Sequence, residues 1–212
     1  MSLFCFGLSI FRVYLSGSKD FLFLNWNLFL ASIPFLASSY LRVQEHKKWK
    51  TILILILWLL FFPNAPYILT DLFHLRVLDS APIWFDTILI LSFAWTGLIF
   101  GFISLIDISK ISLQWIRQRW LNPIVGILLF LTAYGIYIGR FLRWNSWDLI
   151  SHPLSLLYDL ALPIIHPMDH PRAWGMTLLL GCLLNMIYWS SMIWKNTFSN
   201  LIFDQEHDPR TF

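Results

Sequence analysis

Apolar residues follow one another in long runs along this chain, and the pattern predicts helices that cross a membrane. The runs cover residues 2–15, 21–40, 49–62, 83–108, 122–141 and 174–194. A helix needs about 20 mostly apolar residues to cross a hydrocarbon core of roughly 30 Å. We therefore predict an all-α, polytopic helical membrane protein with about six transmembrane helices. The first run is short and contains Arg12, which leaves open whether it crosses.

The third run is too short to cross and ends in a sequence that breaks helices. At about 1.5 Å per residue it would be about 21 Å long, and its last two residues begin the stretch FFPNAPYILTD at residues 61–71. Pro66 lacks a backbone donor and pushes the residue before it away from helical angles. We therefore predict a broken third helix, with Asn64 and Tyr67 bonding the freed backbone groups. The alternative is the ordinary end of a short or tilted helix.

Two short helices are expected to lie along the membrane surface at this end. Thr70 or Asp71 would cap the first, over residues 72–78. The second would lie in the long loop 145–173, where apolar and polar residues fall on opposite faces of a helix. The sequence thus predicts one or two interfacial helices. Residues 1–200 would form a single membrane domain, and residues 201–212 a polar tail.

Polar side chains from four of the runs are expected at the same leaflet as the broken helix. Intramembrane polar and ionisable residues are costly and often mark a functional site. We predict that they bind a ligand together. The candidate site residues are Asn25, Asn27, Asn64, Tyr67, Asp71, Asp86, Tyr137, Arg140, Arg143, Asn145 and Asp148.

The arginine at the end of the fifth run needs a carboxylate from another helix. Arg140 and Asp148 are two helical turns apart, which is too far for a direct pair. Asp71 and Asp86 are therefore the expected partners of Arg140. The alternative is that Arg140 and Arg143 extend to lipid phosphates.

Two glycine pairs add a packing signal to this pattern. Gly97 with Gly101 and Gly135 with Gly139 each have the spacing that lets helix backbones approach closely. Their positions within their runs place them at different depths. We therefore expect that the two pairs do not pack against each other.

The distribution of basic residues predicts the orientation. Of the 15 lysines and arginines, nine lie in the loops after the second and fourth runs and in the C-terminal tail. Cytoplasmic loops carry an excess of lysine and arginine. That side is therefore predicted to be cytoplasmic, which places the candidate site at the extracytoplasmic end of a multi-pass protein in the cell (cytoplasmic) membrane.

The composition is typical of a membrane protein. The expected partners are therefore the lipid bilayer and other components of the membrane. Hydrophobic residues make up 58% of the chain and charged residues 13%, and the mean hydropathy is +0.65. The net charge is only +3 and is scattered over short loops, so we expect no nucleic acid partner. Cys5 and Cys182 lie in different runs, which indicates buried thiols rather than a disulfide.

Metal and cofactor sites are not expected. His166, Asp169 and His170 have the spacing of a metal pair on a helix, but Pro171 disturbs that geometry and favours a solvated loop. The common catalytic and phosphate-binding motifs are also missing. Their absence favours a protein that is not an enzyme.

Three blocks of the sequence resemble a known family. They are NWNLFLA at residues 25–31 with Pro34, FPNAPYILTDL at residues 62–72 and GRFLRWNSWD at residues 139–148. The chain resembles, over roughly residues 3–194, a bacterial multi-pass membrane family catalogued as domain-of-unknown-function family 1361. The resemblance implies a bacterial cytoplasmic membrane protein. It supplies no activity, substrate or catalytic residue.

The sequence is compatible with three functions. The first is an integral membrane protein with a polar site for a solute, an ion or a lipid headgroup, in which Arg140 contacts an anionic group or pairs with a carboxylate. The second is an enzyme that modifies a lipid or envelope component, with Asp71, Asp86 or Asp148 as acid or base. His152 or His166 would assist it. The third is a structural or assembly subunit, whose partner is a second copy or another membrane protein.

Overall fold

The computed structural model describes residues 1–43, 47–75, 82–144 and 148–206. Those ranges contain helices and no strand, so the prediction of an all-α protein is confirmed. Two 3₁₀ segments, Ile68–His74 and Pro167–Asp169, join the α-helices. The α-helices are α1 (Ser2–Ser16), α2 (Phe23–Val43), α3 (Lys48–Phe61), α4 (Asn64–Tyr67), α5 (Ile83–Ser112), α6 (Gln118–Phe141), α7 (Asp148–Ser151), α8 (Pro153–Ile165) and α9 (Pro171–Glu206).

Within the described ranges, four helical stretches are long and apolar enough to cross a membrane. They are Lys48–His74, Ile83–Ser112, Gln118–Phe141 and Pro171–Trp194. The chain is therefore an all-α polytopic membrane protein. Helix α2 matches the second apolar run but includes two asparagines, and α1 is a shorter apolar helix. The count of six spans stays a prediction.

The third helix is distorted where the sequence predicts a break, but the chain keeps helical angles. Helix α3 ends at Phe61, Pro63 has φ −59° and ψ −23°, and α4 begins at the next residue. The expectation that Ala65 leaves helical angles is therefore wrong, because Ala65 lies inside α4. Pro66 is tolerated there because the first turn of a helix has backbone donors without intrahelical acceptors.

The predicted cap at Thr70 or Asp71 is also wrong. Both residues lie within the 3₁₀ segment Ile68–His74, which starts before them and has no side-chain cap. The Thr70 hydroxyl donates to the carbonyl of Tyr67 at 2.7 Å. Residues 76–78 of the predicted short helix lie outside the described ranges. Helix α8 matches the second predicted interfacial helix, and its position at the membrane surface stays a prediction.

The helices pack in two groups. Helix α2 packs along α3, α4 and α5, and α1 packs on α5, whereas α6 packs along α9. Side chains join the groups in one buried cluster, where the rings of Phe102 and Tyr188 lie 5.6 Å apart between centroids. Helix α4 packs within the first group, against α2 and α5.

The two glycine pairs hold α4 from opposite sides. A Cβ at Gly97 would lie 2.7 Å from the carbonyl oxygen of Ala65, and a Cβ at Gly101 would lie 2.9 Å from the Ala65 Cβ. On the other side, Gly135 faces Pro63 and Gly139 faces the Tyr67 ring. Residues 63–67 thus contact both pairs. Only Gly97 and Gly101 make an approach that a Cβ would block, since a Cβ at Gly135 or Gly139 would lie at an ordinary contact distance.

This packing predicts that Gly97→Ala destabilises the protein. The new methyl group would clash with the backbone oxygen of Ala65, and overpacking of this kind costs about 1–3 kcal/mol. The control is Gly175→Ala in α9, where a Cβ meets nothing within 4 Å. Thermal unfolding in detergent should show a lower midpoint for Gly97→Ala alone. Equal midpoints for the two variants would contradict the contact.

Candidate functional site

A buried ion pair joins the end of α6 to the segment that follows α4. Arg140 lies in the last turn of α6, and its Nη1 is 2.9 Å from Oδ1 of Asp71 in the 3₁₀ segment. The Asp71 side chain is 0% exposed and that of Arg140 is 11% exposed. Asp71 is one of the two partners predicted for Arg140. The pair therefore links the two helix groups.

The surrounding residues bond the donors and acceptors that the ion pair leaves open. The Arg140 cluster consists of Arg140, Asp71, Asn27, Tyr67, Thr70 and His74. Nη2 of Arg140 donates to the carbonyl of Thr70 at 2.8 Å and lies 2.9 Å from Nδ1 of His74. Nδ2 of Asn27 donates to Oδ2 of Asp71 at 2.8 Å. Nη1 also lies 3.4 Å from the Tyr67 hydroxyl. Both terminal nitrogens of the guanidinium and both carboxylate oxygens are thus engaged.

A second buried pair, Arg12 with Asp86, attaches α1 to the start of α5. Nε and Nη2 of Arg12 lie 3.1 Å and 3.2 Å from the two carboxylate oxygens of Asp86. Both side chains are 1% exposed. Asn25 belongs to this region, because its Nδ2 donates to the Ser9 hydroxyl at 2.8 Å. The predicted residues Asn25 and Asp86 therefore lie outside the Arg140 cluster.

Sequence reasoning missed the role of Arg12. We considered it only as a reason for the first run not to cross. A signal was present, because an arginine inside an apolar helix requires a carboxylate and Asp86 lies in the first turn of α5.

Three further predicted residues lie in or after the last turns of α6: Tyr137 is within α6, Arg143 follows it and Asp148 begins α7. Tyr137 is buried, and its ring stacks on Phe141 at 5.2 Å. Arg143 is exposed, with a backbone φ of 61°. Asp148 accepts a hydrogen bond from Ser151 at 3.2 Å. Asn145 lies outside the described residues.

Next to the Arg140 cluster lies a cavity of about 250 Å³ between the two helix groups. Asn27 and Tyr67 belong to both the cluster and the cavity wall. Asn64 and the indole N–H groups of Trp26 and Trp144 complete the polar part of the wall. Among the described residues, none of those lining the cavity is charged. The apolar part of the wall includes Leu30, Leu60, Phe61, Ile136, Leu156 and Leu160.

The polar part of the wall has unused hydrogen-bonding capacity. Nδ2 of Asn64 donates to the carbonyl of Phe61 at 3.0 Å, in agreement with its predicted role at the end of α3. The Oδ1 atoms of Asn27 and Asn64 accept no bond from the described residues, and the Tyr67 hydroxyl keeps its own hydrogen for donation. The Trp144 N–H is already used, because it donates to Asp159 at 2.8 Å.

The opposite end of α5 holds a carboxylate that sequence reasoning did not single out. Asp107 is 5% exposed, and its Oδ1 lies 3.5 Å from Nη1 of Arg42, which is 63% exposed. Its Oδ2 is buried and has no hydrogen-bond partner among the described residues. Those residues also contain no group of three His, Cys, Asp or Glu side chains suited to a metal ion. The expectation of no metal stays a prediction.

Comparison with known proteins gives one match. The family model described as "Protein of unknown function (DUF1361)" matches residues 26–187. No curated protein and no solved structure matches the chain. The match covers the cavity wall and the Arg140 cluster, and α1 lies outside it.

The geometry of the Arg140 cluster predicts strong coupling between Arg140 and Asp71. Asp71→Asn or Arg140→Gln should each lower the free energy of unfolding by about 3–5 kcal/mol, because each leaves a buried charge without its partner. The free energy of unfolding of the double variant should fall by clearly less than the sum of the two single decreases. Equilibrium unfolding in mixed micelles of a mild and a denaturing detergent measures the free energy of unfolding of all three variants.

Arg143→Gln is the matched control, since Arg143 is exposed and lies on the same segment. It should change the free energy of unfolding by no more than about 0.5 kcal/mol. Additive losses in the Asp71 and Arg140 variants would contradict the pairing.

Proposed function

Because the chain belongs to the DUF1361 family of proteins of unknown function, we propose its function from its own structure. The protein is an integral membrane protein that binds a small ligand in the cavity beside the Arg140 cluster. The ligand is a solute or the headgroup end of a lipid. The single observation that carries this proposal is the cavity wall, which combines apolar side chains with amide oxygens that lack donors among the described residues.

The free-energy cost of unpaired polar groups supports a binding role for the cavity wall. Ligand sites are concave and mostly apolar, with a few convergent polar groups that fix orientation. Polar groups at membrane depth are costly unless they gain partners. Asn27 and Asn64 each bond through nitrogen and keep an oxygen available beside the cavity. A ligand with hydrogen-bond donors would satisfy both oxygens.

The excess of basic residues in the loops at the opposite end supports the orientation of this site. We place the cavity at the extracytoplasmic end of the bundle, in a multi-pass protein of the cell membrane. A ligand would then arrive from the outer leaflet or from the outer aqueous phase.

The closed Arg140 cluster favours one alternative, a structural or assembly subunit whose polar residues only maintain the fold. Asp71 and Asp86 are both buried in arginine pairs, so neither carboxylate is presented to a substrate in this arrangement. This also weakens the enzymatic alternative that assigns them as acid or base. The cavity is the feature that supports ligand binding over a purely structural role.

A cavity-filling variant tests the proposed function. Gly135 lines the cavity, and a Cβ there meets only Pro63, at an ordinary 3.6 Å. Gly135→Leu should therefore fill the cavity and abolish binding while the fold persists. The measurement is mass spectrometry of small molecules and lipids that co-purify with the protein from its native membrane.

The control is Gly175→Leu in α9, at an exposed position with nothing within 4 Å of a Cβ. We expect a molecule that is enriched at least about tenfold in wild type and Gly175→Leu over Gly135→Leu. Identical profiles for the three proteins would reject the cavity as a ligand site and favour the structural alternative.

A further inference from the structure

The cavity also indicates which kind of ligand it takes, and this inference depends on the proposed function. We infer that the ligand is a lipid with an uncharged headgroup that carries hydroxyl or amide donors. Its headgroup bonds Asn27 and Asn64, and the start of its hydrocarbon chain lies along the apolar wall.

The cavity wall does not suit an anionic headgroup. No described residue that lines the cavity is charged, so an anionic headgroup would find no counterion among them. The guanidinium of Arg140, which contacts Tyr67 of the wall, already binds Asp71, the Thr70 carbonyl and His74. A phosphate that replaced Asp71 at this guanidinium would leave a carboxylate that is 0% exposed without its counterion. Anionic lipids are therefore disfavoured.

A cationic headgroup is disfavoured for the same reason. The Asp71 carboxylate is fully engaged by Asn27 and Arg140 and is closed to the cavity by its burial. Ionised groups pay a large desolvation cost in an apolar site without a counter-charge. The ligand that fits this wall is therefore neutral.

The hydrogen-bonding groups of the wall indicate which neutral headgroups fit. The open acceptors at the wall are the amide oxygens of Asn27 and Asn64. The open donors are the Tyr67 hydroxyl, the Trp26 indole N–H and the second N–H of each amide. A hydroxyl group both donates and accepts, and an amide group does the same. Polyol or amide headgroups thus match the wall, whereas an ester without a hydroxyl leaves both oxygens unpaired.

The shape of the cavity supports a lipid rather than a free solute. Trp26, which lines the cavity, is 56% exposed on an apolar helix, so one edge of the wall reaches the outer surface of the bundle. Leu156 and Leu160 of α8 form another part of the wall. The volume of about 250 Å³ lies below the roughly 300–1,000 Å³ of sites for whole drug-sized ligands. It suits a headgroup and the first methylene groups.

Helix α8 is fixed in place over this wall. The Tyr134 hydroxyl donates to the carbonyl of Leu160 at 2.6 Å, and the Trp174 N–H donates to that of Pro163 at 2.8 Å. The Trp144 N–H binds Asp159 on the same helix. The apolar side of the cavity is thus preorganised for a hydrocarbon chain.

Four probes that share parts of one molecule test the inference. Monoolein has an uncharged headgroup with two hydroxyls and one chain. Methyl oleate keeps the chain without hydroxyls, glycerol keeps the hydroxyls without the chain, and oleoyl lysophosphatidic acid adds a phosphate. The measurement is the mole fraction of each lipid in detergent micelles, or the concentration of glycerol, that gives half of the maximal rise in unfolding temperature.

Monoolein should act at a mole fraction about tenfold lower than methyl oleate or lysophosphatidic acid, and glycerol should have no specific effect. Asn64→Leu should remove most of the advantage of monoolein over methyl oleate, and Gly135→Leu should remove all of it. The control is Asn122→Leu, an exposed position near the other end of α6, which should behave as wild type.

Two outcomes overturn the inference. If lysophosphatidic acid or glycerol acts as strongly as monoolein and Gly135→Leu abolishes the effect, the cavity binds a ligand but not a neutral lipid. The proposed function then survives without this inference. If no probe shows an effect that depends on Gly135, the neutral-lipid assignment is wrong, and the co-purification experiment alone decides the proposed function.

Discussion

A charged arginine buried between helices must have a carboxylate, and the pair of Arg140 with Asp71 meets this requirement. The chain around α4 is shaped to bring the two residues together. The 3₁₀ segment Ile68–His74 rises about 2.0 Å per residue rather than 1.5 Å and carries both Asp71 and the Thr70 carbonyl to Arg140. Gly97 and Gly101 of α5 leave space for α4. The distorted helix is therefore the structural condition for the ion pair.

The same pairing determines what the neighbouring cavity can bind. Because Arg140 and Asp71 neutralise each other, the charge of this pair is used within the protein. The adjacent wall keeps only neutral polar atoms from Asn27, Asn64 and Tyr67 beside apolar side chains. The ion pair thus has a structural role, and recognition falls to the amide and hydroxyl groups. This division separates the proposed site from one that binds phosphate.

The sequence predicted the helical class, four of the apolar spans and the residue types at the polar end, because long apolar runs and intramembrane polar groups follow simple physical rules. It narrowed the partner of Arg140 to two carboxylates. It could not assign Arg12 to Asp86, since 74 positions separate them and only the packing of α1 on α5 brings them together. It also misjudged Ala65, whose helical conformation is held by tertiary contact with Gly97 and Gly101.

An experimental structure in a lipid nanodisc, with an antibody fragment bound as a marker, tests the central claim most directly. The account predicts Arg140 within hydrogen-bonding distance of Asp71 and non-protein density in the cavity that reaches the amide of Asn64. Arg140 turned into the cavity and bound to an anionic group, with Asp71 left open, would contradict the account. A cavity filled by protein side chains would contradict it equally.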